Sequence, residues 1–185
     1  MRIVGGNAKG RRLKVSKKGT RPTKGIVREA IFNIVHPFVH NSRVLDIFAG
    51  SGALGIEALS RGAQYCVFIE KKTKALTDNI AKLSMDKNTY VIRADFRSGL
   101  SNLKGQQFDL IFCDPPYRKN YVEKVITIVA KQQLLRKNGV IIAEHAPGES
   151  FTIPRDYSIY KQKRYGDTCV TFLVHKTRMD ANTIP

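Results

Sequence analysis

The run Val44-Leu45-Asp46-Ile47-Phe48-Ala49-Gly50-Ser51-Gly52-Ala53-Leu54-Gly55-Ile56-Glu57 constrains the fold more than any other stretch. It opens as an apolar strand after Arg43 and breaks at glycines. It then resumes with helical spacing at Leu54, Ala58 and Leu59, and Gly62 is placed to end the helix. A strand that feeds a helix through glycines exposes bare backbone and a helix N-terminus to a ligand. The alternation continues downstream. Strands are predicted at residues 65–70, 89–93, 108–113 and 140–145, with helices at 72–85, near 97–103 and at 121–135. Such alternation implies a parallel sheet covered on both faces. Two further strand-like runs, 157–164 and 169–175, are separated only by Tyr165-Gly166-Asp167-Thr168. A link that short joins antiparallel strands. The expected fold is α/β and Rossmann-like, a mostly parallel seven-stranded sheet that ends in an antiparallel hairpin.

Gly50-x-Gly52-x-x-Gly55 matches the dinucleotide fingerprint, a weak signal by itself. Two acids sharpen it. Asp46 ends the first strand, where a carboxylate would repel a pyrophosphate but suit an ammonium-bearing ligand. Glu70 ends the next apolar run, where an acid takes ribose hydroxyls. Together they favour S-adenosyl-L-methionine over NAD as the cofactor.

The 185 residues carry a formal net charge of +17 and a sequence pI near 10.0, which implies a polyanionic partner, with nucleic acid ahead of membrane. The charge is clustered before the first acid, Glu29. Residues 1–15 read as a glycine-rich β-hairpin and 16–21 as a basic loop, so residues 1–22 form a unit expected to contact RNA. Arg2, Arg11, Arg12, Lys14, Lys17, Lys18 and Arg21 of this unit, with Arg28 of the helix that follows, are the candidate RNA-binding residues. Few apolar residues fall in this unit, so its charges are expected to serve the substrate and not stability. Pro22 and Thr23 open a helix with an apolar stripe at Ile26, Val27, Ala30, Ile31, Ile34 and Val35, from which Arg28 and Asn33 should face away. His36 and His40 read as loop or cap residues, and no metal site is expected.

Residues 23–176 form the main domain, and 177–185 a flexible tail. Cys66, Cys113 and Cys169 each sit inside an apolar run without a C-x-x-C pairing, as buried reduced thiols do. No secretory core or membrane-length apolar run occurs, so a cytoplasmic protein is expected, with monomer as the default state.

The run 108–113 leads directly into Asp114-Pro115-Pro116-Tyr117. Ligands of open parallel sheets bind beyond the carboxyl ends of the strands, so Asp114 should lie near Asp46 and Glu70. Two prolines fix the backbone and remove two donors, leaving carbonyls as acceptors beside a carboxylate and an aromatic ring. That bay suits an exocyclic amine of a nucleobase. Its two N–H groups would bond to the Asp114 carboxylate and the Pro115 carbonyl, localising the nitrogen lone pair, while Tyr117 stacks on the base. Asp114, Pro115, Pro116 and Tyr117 are the candidate catalytic residues.

Residues 44–57, Glu70, Asp95 and 114–117 together resemble the class I S-adenosylmethionine-dependent methyltransferases that act on amino nitrogens. Arg21-Pro22-Thr23, Val27-Arg28-Glu29-Ala30-Ile31-Phe32-Asn33, Tyr165-Gly166-Asp167-Thr168 and the N-terminal hairpin narrow the likeness to the RsmD family, which modifies guanine N2 in 16S ribosomal RNA. The resemblance implies that Asp46, Gly50, Ser51 and Gly52 line the methionine part of the cofactor, with Phe48 and Ala49 in the same stretch. It implies that Glu70 holds the ribose, that Asp95 accepts from the adenine amino group with Phe96 alongside, and that Asp114 adjoins the cofactor. The partner would be 16S rRNA or the small ribosomal subunit. The chain departs from the family at Gly25, where an acidic residue is usual. Asp-Pro-Pro-Tyr suits adenine N6 as well as guanine N2, which keeps an adenine-N6 methyltransferase on DNA or RNA as an alternative. A non-catalytic RNA-binding module retaining the fold is another.

Overall fold

In the computed structural model, which describes residues 1–15, 25–117 and 119–179, the apolar runs pair as one sheet. Its strands are β1 (Arg43–Ile47), β2 (Tyr65–Ile69), β3 (Thr89–Ile92), β4 (Phe108–Cys113), β5 (Leu135–His145), β6 (Tyr157–Tyr165) and β7 (Thr168–His175). Their order is β3-β2-β1-β4-β5-β7-β6. The first five run parallel, and β7 lies antiparallel to both β5 and β6. Helix α1 (Gly25–Val35) precedes the sheet. Helices α2 (Ala53–Ser60), α3 (Lys74–Leu83), α4 (Phe96–Ser101) and α5 (Tyr121–Lys131) supply the crossovers that parallel strands need. The strand order reverses at β1, between β2 and β4, and a crevice opens at such a switch point beyond the strand ends.

Two cores flank the sheet. On one face Val44, Phe112, Ile142 and Phe172 meet Ile31 and Phe32 of α1, with Leu54 of α2 and Ile80 of α3. On the other face Leu45, Ile111 and Ile141 meet Phe96, Val125 and Val129. Gly55 sets how closely α2 approaches. A Cβ there would lie 2.3 Å from Phe68 Cε1 and 2.6 Å from Cys66 Sγ, so only glycine lets the helix sit this low.

Several elements differ from expectation. Helix α3 is shorter than 72–85 because Ser84 turns left-handed (φ 57), and a 3-10 turn, Asp86–Asn88, follows. Helix α5 ends at Lys131, and β5 begins at Leu135 instead of residue 140. The added residues Arg136, Lys137 and Asn138 are exposed, which hides them from a reading based on apolar runs. The expected frayed tail instead begins as a short helix, α6 (Lys176–Met179). Cys66 and Cys113 are buried free thiols, whereas Cys169 is only half-buried. Lys17, Lys18, Arg21, Pro22 and Thr23 lie outside the described residues.

The larger correction concerns the N-terminus. A hairpin does form, joined by the Arg2–Arg12 antiparallel bridge, but it is packed down as a strap. Ile3, Ala8 and Leu13 are buried in the core of the α1 face. Arg28 turns inward, 1 % exposed, instead of facing solvent. Its guanidinium Nε donates to Glu57 Oε2 at 3.2 Å, and another nitrogen donates to the Arg2 carbonyl. Such a buried cation is not presented to RNA, so Arg28 leaves the set of candidate phosphate contacts. Glu57, wholly buried, also accepts the backbone N–H groups of Val4 (2.9 Å) and Gly5 (2.7 Å) and the Nε of Arg61 (2.9 Å). One carboxylate thus ties the strap, α1 and α2 together.

Removing one partner of a buried ion pair leaves the other charge uncompensated, at about 3–5 kcal/mol. Glu57→Ala is expected to lower unfolding free energy by that amount in urea titrations. A loss under about 1 kcal/mol would mean that the strap rests on its apolar contacts alone.

Candidate active site

The glycine turn after β1 is shaped by backbone conformation. Phe48 (φ 64), Gly50 (φ 56) and Gly52 (φ 81) all occupy the left-handed region. A Cβ added at Gly50 would find its nearest neighbour 3.9 Å away, so the space above the turn stays open. Glu70, at the end of β2, holds the turn in place. Its Oε2 accepts the Gly50 N–H and its Oε1 the Lys72 N–H, each at 2.8 Å. Both oxygens keep a lone pair for a further donor.

Asp46 is 2 % exposed and its Oδ2 accepts the Gly55 N–H at 2.9 Å. Burial raises its pKa from the ordinary 3.8 to about 7; the charges of Asp114 and Glu70 add to the rise and the Gly55 hydrogen bond opposes it. Asp95 shows the opposite behaviour. It caps α4, accepting from Arg97 N at 2.9 Å and Ser98 Oγ at 3.2 Å, and the Arg97 N–H foremost holds its carboxyl below the usual range. Phe48, Phe96 and Tyr121 form a ring cluster with centroids 5.1 to 5.8 Å apart, and the guanidinium of Arg97 lies 4.6 Å over Phe96.

These groups line one cavity of about 680 Å³. Asp46, Phe48, Ala49, Gly50, Ser51, Glu70, Asp95, Phe96 and the whole of Asp114-Pro115-Pro116-Tyr117 border it. Gly52 does not; its role is internal, since a Cβ there would meet Leu76 Cδ1 at 2.5 Å. The Tyr117 hydroxyl is hydrogen-bonded to Thr168 Oγ1 at 2.9 Å, which links the turn after β4 to the β6–β7 hairpin.

Glu144 also borders the cavity, at the carboxyl end of β5 and 3 % exposed, and sequence reasoning missed it. The signal was available, because an acid at a strand end also marks Asp46 and Glu70. Met1 and Val15 reach the rim, so the two ends of the strap meet the cavity. Arg2, Arg11, Arg12 and Lys14 are exposed on that strap. Lys14 pairs with Asp78 at 3.1 Å, and Arg11 donates to the Lys82 carbonyl at 2.6 Å. A buried amide, Asn79, accepts from Lys14 N (2.8 Å) and donates to Ser51 O (2.9 Å), connecting strap and glycine turn.

The chain is similar to known proteins over most of its length. The family described as Conserved hypothetical protein 95 matches residues 1–174. The Escherichia coli (strain K12) protein named Ribosomal RNA small subunit methyltransferase D is 36% identical over 171 residues, covering 90% of this chain and 85% of that protein. The chain belongs to the RsmD family. The Buchnera aphidicola (subsp. Acyrthosiphon pisum) member of the same name is 38% identical over 165 residues, 87% of this chain and 86% of its own length. A solved Escherichia coli structure, yhhF, described as a candidate methyltransferase, superposes with a TM-score of 0.85 at 34% identity, covering 95% of this chain and 97% of that one. The sheet order and the closing hairpin of this RsmD-family chain are those of the class I methyltransferase fold.

The Asp46 carboxyl gives a stability test. The folded protein holds this proton up to about pH 7, while the unfolded chain releases it near the ordinary 3.8. Its contribution is therefore fully favourable below that lower value and is lost as pH rises through about 7. Asp46→Asn, which keeps an acceptor for Gly55, is expected to be more stable than wild type at pH 8, by roughly a few kcal/mol, with the difference fading near pH 4. Denaturation midpoints at the two pH values check this; a constant difference would contradict it.

Proposed function

We propose that the protein transfers a methyl group from S-adenosyl-L-methionine to the exocyclic N2 of a guanine in small-subunit ribosomal RNA. The observation that carries this is the convergence of Asp46, Glu70 and Asp114 from three strand ends on one cavity, with the proline-stiffened turn on its wall. The names of the relatives support ribosomal RNA as the substrate, and the family resemblance supports guanine over adenine.

The residues present fit the cofactor. A buried carboxyl at Asp46, whose proton is held by burial foremost and by the nearby acids in smaller part, is a receptor for positive charge. The open space over Gly50 admits the amino-acid part, the remaining lone pairs of Glu70 suit ribose hydroxyls, and Phe96 with Asp95 suits an adenine ring. When bound, the cofactor supplies an electrophilic methyl on a sulfonium sulfur: the S–CH3 bond breaks, an N–CH3 bond forms, and one N–H proton leaves. Asp114 and the Pro115 carbonyl accept from the substrate amine, localise its lone pair and stabilise the positive charge that develops on nitrogen. Asp114 is the acceptor nearest in kind for the departing proton, which passes from it to solvent. Tyr117, held by Thr168, offers the base a stacking face.

Methyl transfer from labelled cofactor to unmodified small subunits, followed by nucleoside analysis, tests the reading. N2-methylguanosine is expected, and N6-methyladenosine or no labelled RNA overturns it. Asp114→Ala is expected to lower single-turnover methyl transfer at least about 100-fold while cofactor affinity stays within a few-fold, because its contacts form to the reacting amine.

The exposed Arg11, Arg12 and Lys14 are assigned to phosphates. Replacing all three with Ser should flatten the slope of log K against log salt by roughly 0.7–0.9 for each phosphate no longer neutralised. Their backbone and the buried Ile3 and Leu13 are untouched, so the melting temperature should fall little. An unchanged slope would remove them from the RNA surface.

A further inference from the structure

The parallel register sets two acids side by side at the cavity. Phe112 pairs with Ile142 and Cys113 with Ala143 across β4 and β5, so one further step brings Asp114 beside Glu144. Side chains alternate along strands, and Asp46 shares a row with Phe112 and Ile142. Asp46, Asp114 and Glu144 therefore project from the same face of the sheet. Glu144 is a buried part of the cavity wall, 3 % exposed, and its neighbour strand β7 contributes Thr168, the partner of the Tyr117 hydroxyl. The buried Arg28 guanidinium lies within electrostatic reach of Glu144.

We propose that Glu144 is the specificity-determining residue of this site, accepting the N1–H of guanine while Asp114 and Pro115 accept from its N2 amino group. This rests on the reading of the cavity as a methyltransferase site for a nucleobase amine. The chemistry of the bases makes Glu144 discriminating. Guanine presents adjacent donors, N1–H and the 2-amino group. Adenine presents an amino group beside N1, which is an acceptor whose lone pair would face the Glu144 carboxylate. Two adjacent acceptor-only groups match the first pattern and repel the second. A carboxylate on N1–H also pushes electron density into the ring and towards N2, which makes the amine a better nucleophile.

2-Aminopurine separates these effects, because it keeps the 2-amino group but has an unprotonated N1. The test has two steps. First, wild-type enzyme and labelled S-adenosylmethionine are used on unmodified small subunits to find the methylated guanine; if no guanine is methylated, the underlying reading fails. Second, subunits are rebuilt from ligated rRNA carrying 2-aminopurine at that position. Wild type is expected to methylate guanine roughly 100-fold or more faster than 2-aminopurine, as for a site built to bond a group that the analogue lacks. Glu144→Gln can donate its amide N–H to N1 and is expected to shrink that ratio at least tenfold, by gaining on 2-aminopurine as well as losing on guanine. A structural role would slow both substrates equally. Wild-type rates within a few-fold on the two bases would overturn the proposal, even if the variant failed to fold. An unchanged ratio in a folded Glu144→Gln protein would overturn it too.

Discussion

A single hydrogen bond, from the Gly55 N–H to Asp46 Oδ2, joins the fold of this protein to its site. It exists because Gly55 lacks a side chain and lets α2 settle against Phe68 and Cys66. The same approach buries Asp46, and burial brings its proton into the neutral range. Packing and chemistry are consequently one constraint. Any residue larger than glycine at position 55 would lift the helix, lengthen the bond and let water reach the carboxyl.

Charge is distributed by the same logic. A chain with net charge +17 places Asp46, Glu70, Asp95, Asp114 and Glu144 around one cavity. Lys71, Lys72, Arg97 and Lys119 border the same cavity, and further positive charge lies on the strap whose ends reach the rim. In the proposed reading an RNA backbone is drawn to the cationic surface, and the acids serve donors and cations. The strap is not a loose basic arm, since Glu57 and Asn79 hold its backbone. Asn79 also bonds to the Ser51 carbonyl, so the strap proposed to meet phosphates and the glycine turn at the cavity share a buried side chain.

Much of this is legible in the sequence, because apolar period and glycine placement act locally. The parallel sheet with its closing hairpin follows from strand–helix alternation, and the site from acids at strand ends. What escapes depends on distant partners. Arg28 reads as solvent-facing because its partner, Glu57, stands on another helix and no local pattern predicts a buried arginine. The anchoring of the strap is hidden because Ile3, Ala8 and Leu13 are too few to form a periodic run, yet each is buried in the core beside α1 to α3. The start of β5 is masked by the exposed Arg136, Lys137 and Asn138. Glu144 obeys the rule that finds Asp46, but it lies within the strand-like run 140–145 instead of just beyond it, and the Asp114 motif on the adjacent strand is the louder signal.

In the proposed reading the acids around the cavity receive a cationic cofactor, with Asp46 as the group that responds. Isothermal titration of S-adenosyl-L-methionine at pH 7, in buffers of differing ionisation enthalpy, measures this directly. Positive charge in the cavity should favour the ionised carboxyl and release a fraction of a proton per site. That release should vanish well above pH 7 and in Asp46→Asn. Binding with no buffer dependence in wild type, or the same proton release in Asp46→Asn, would contradict the account.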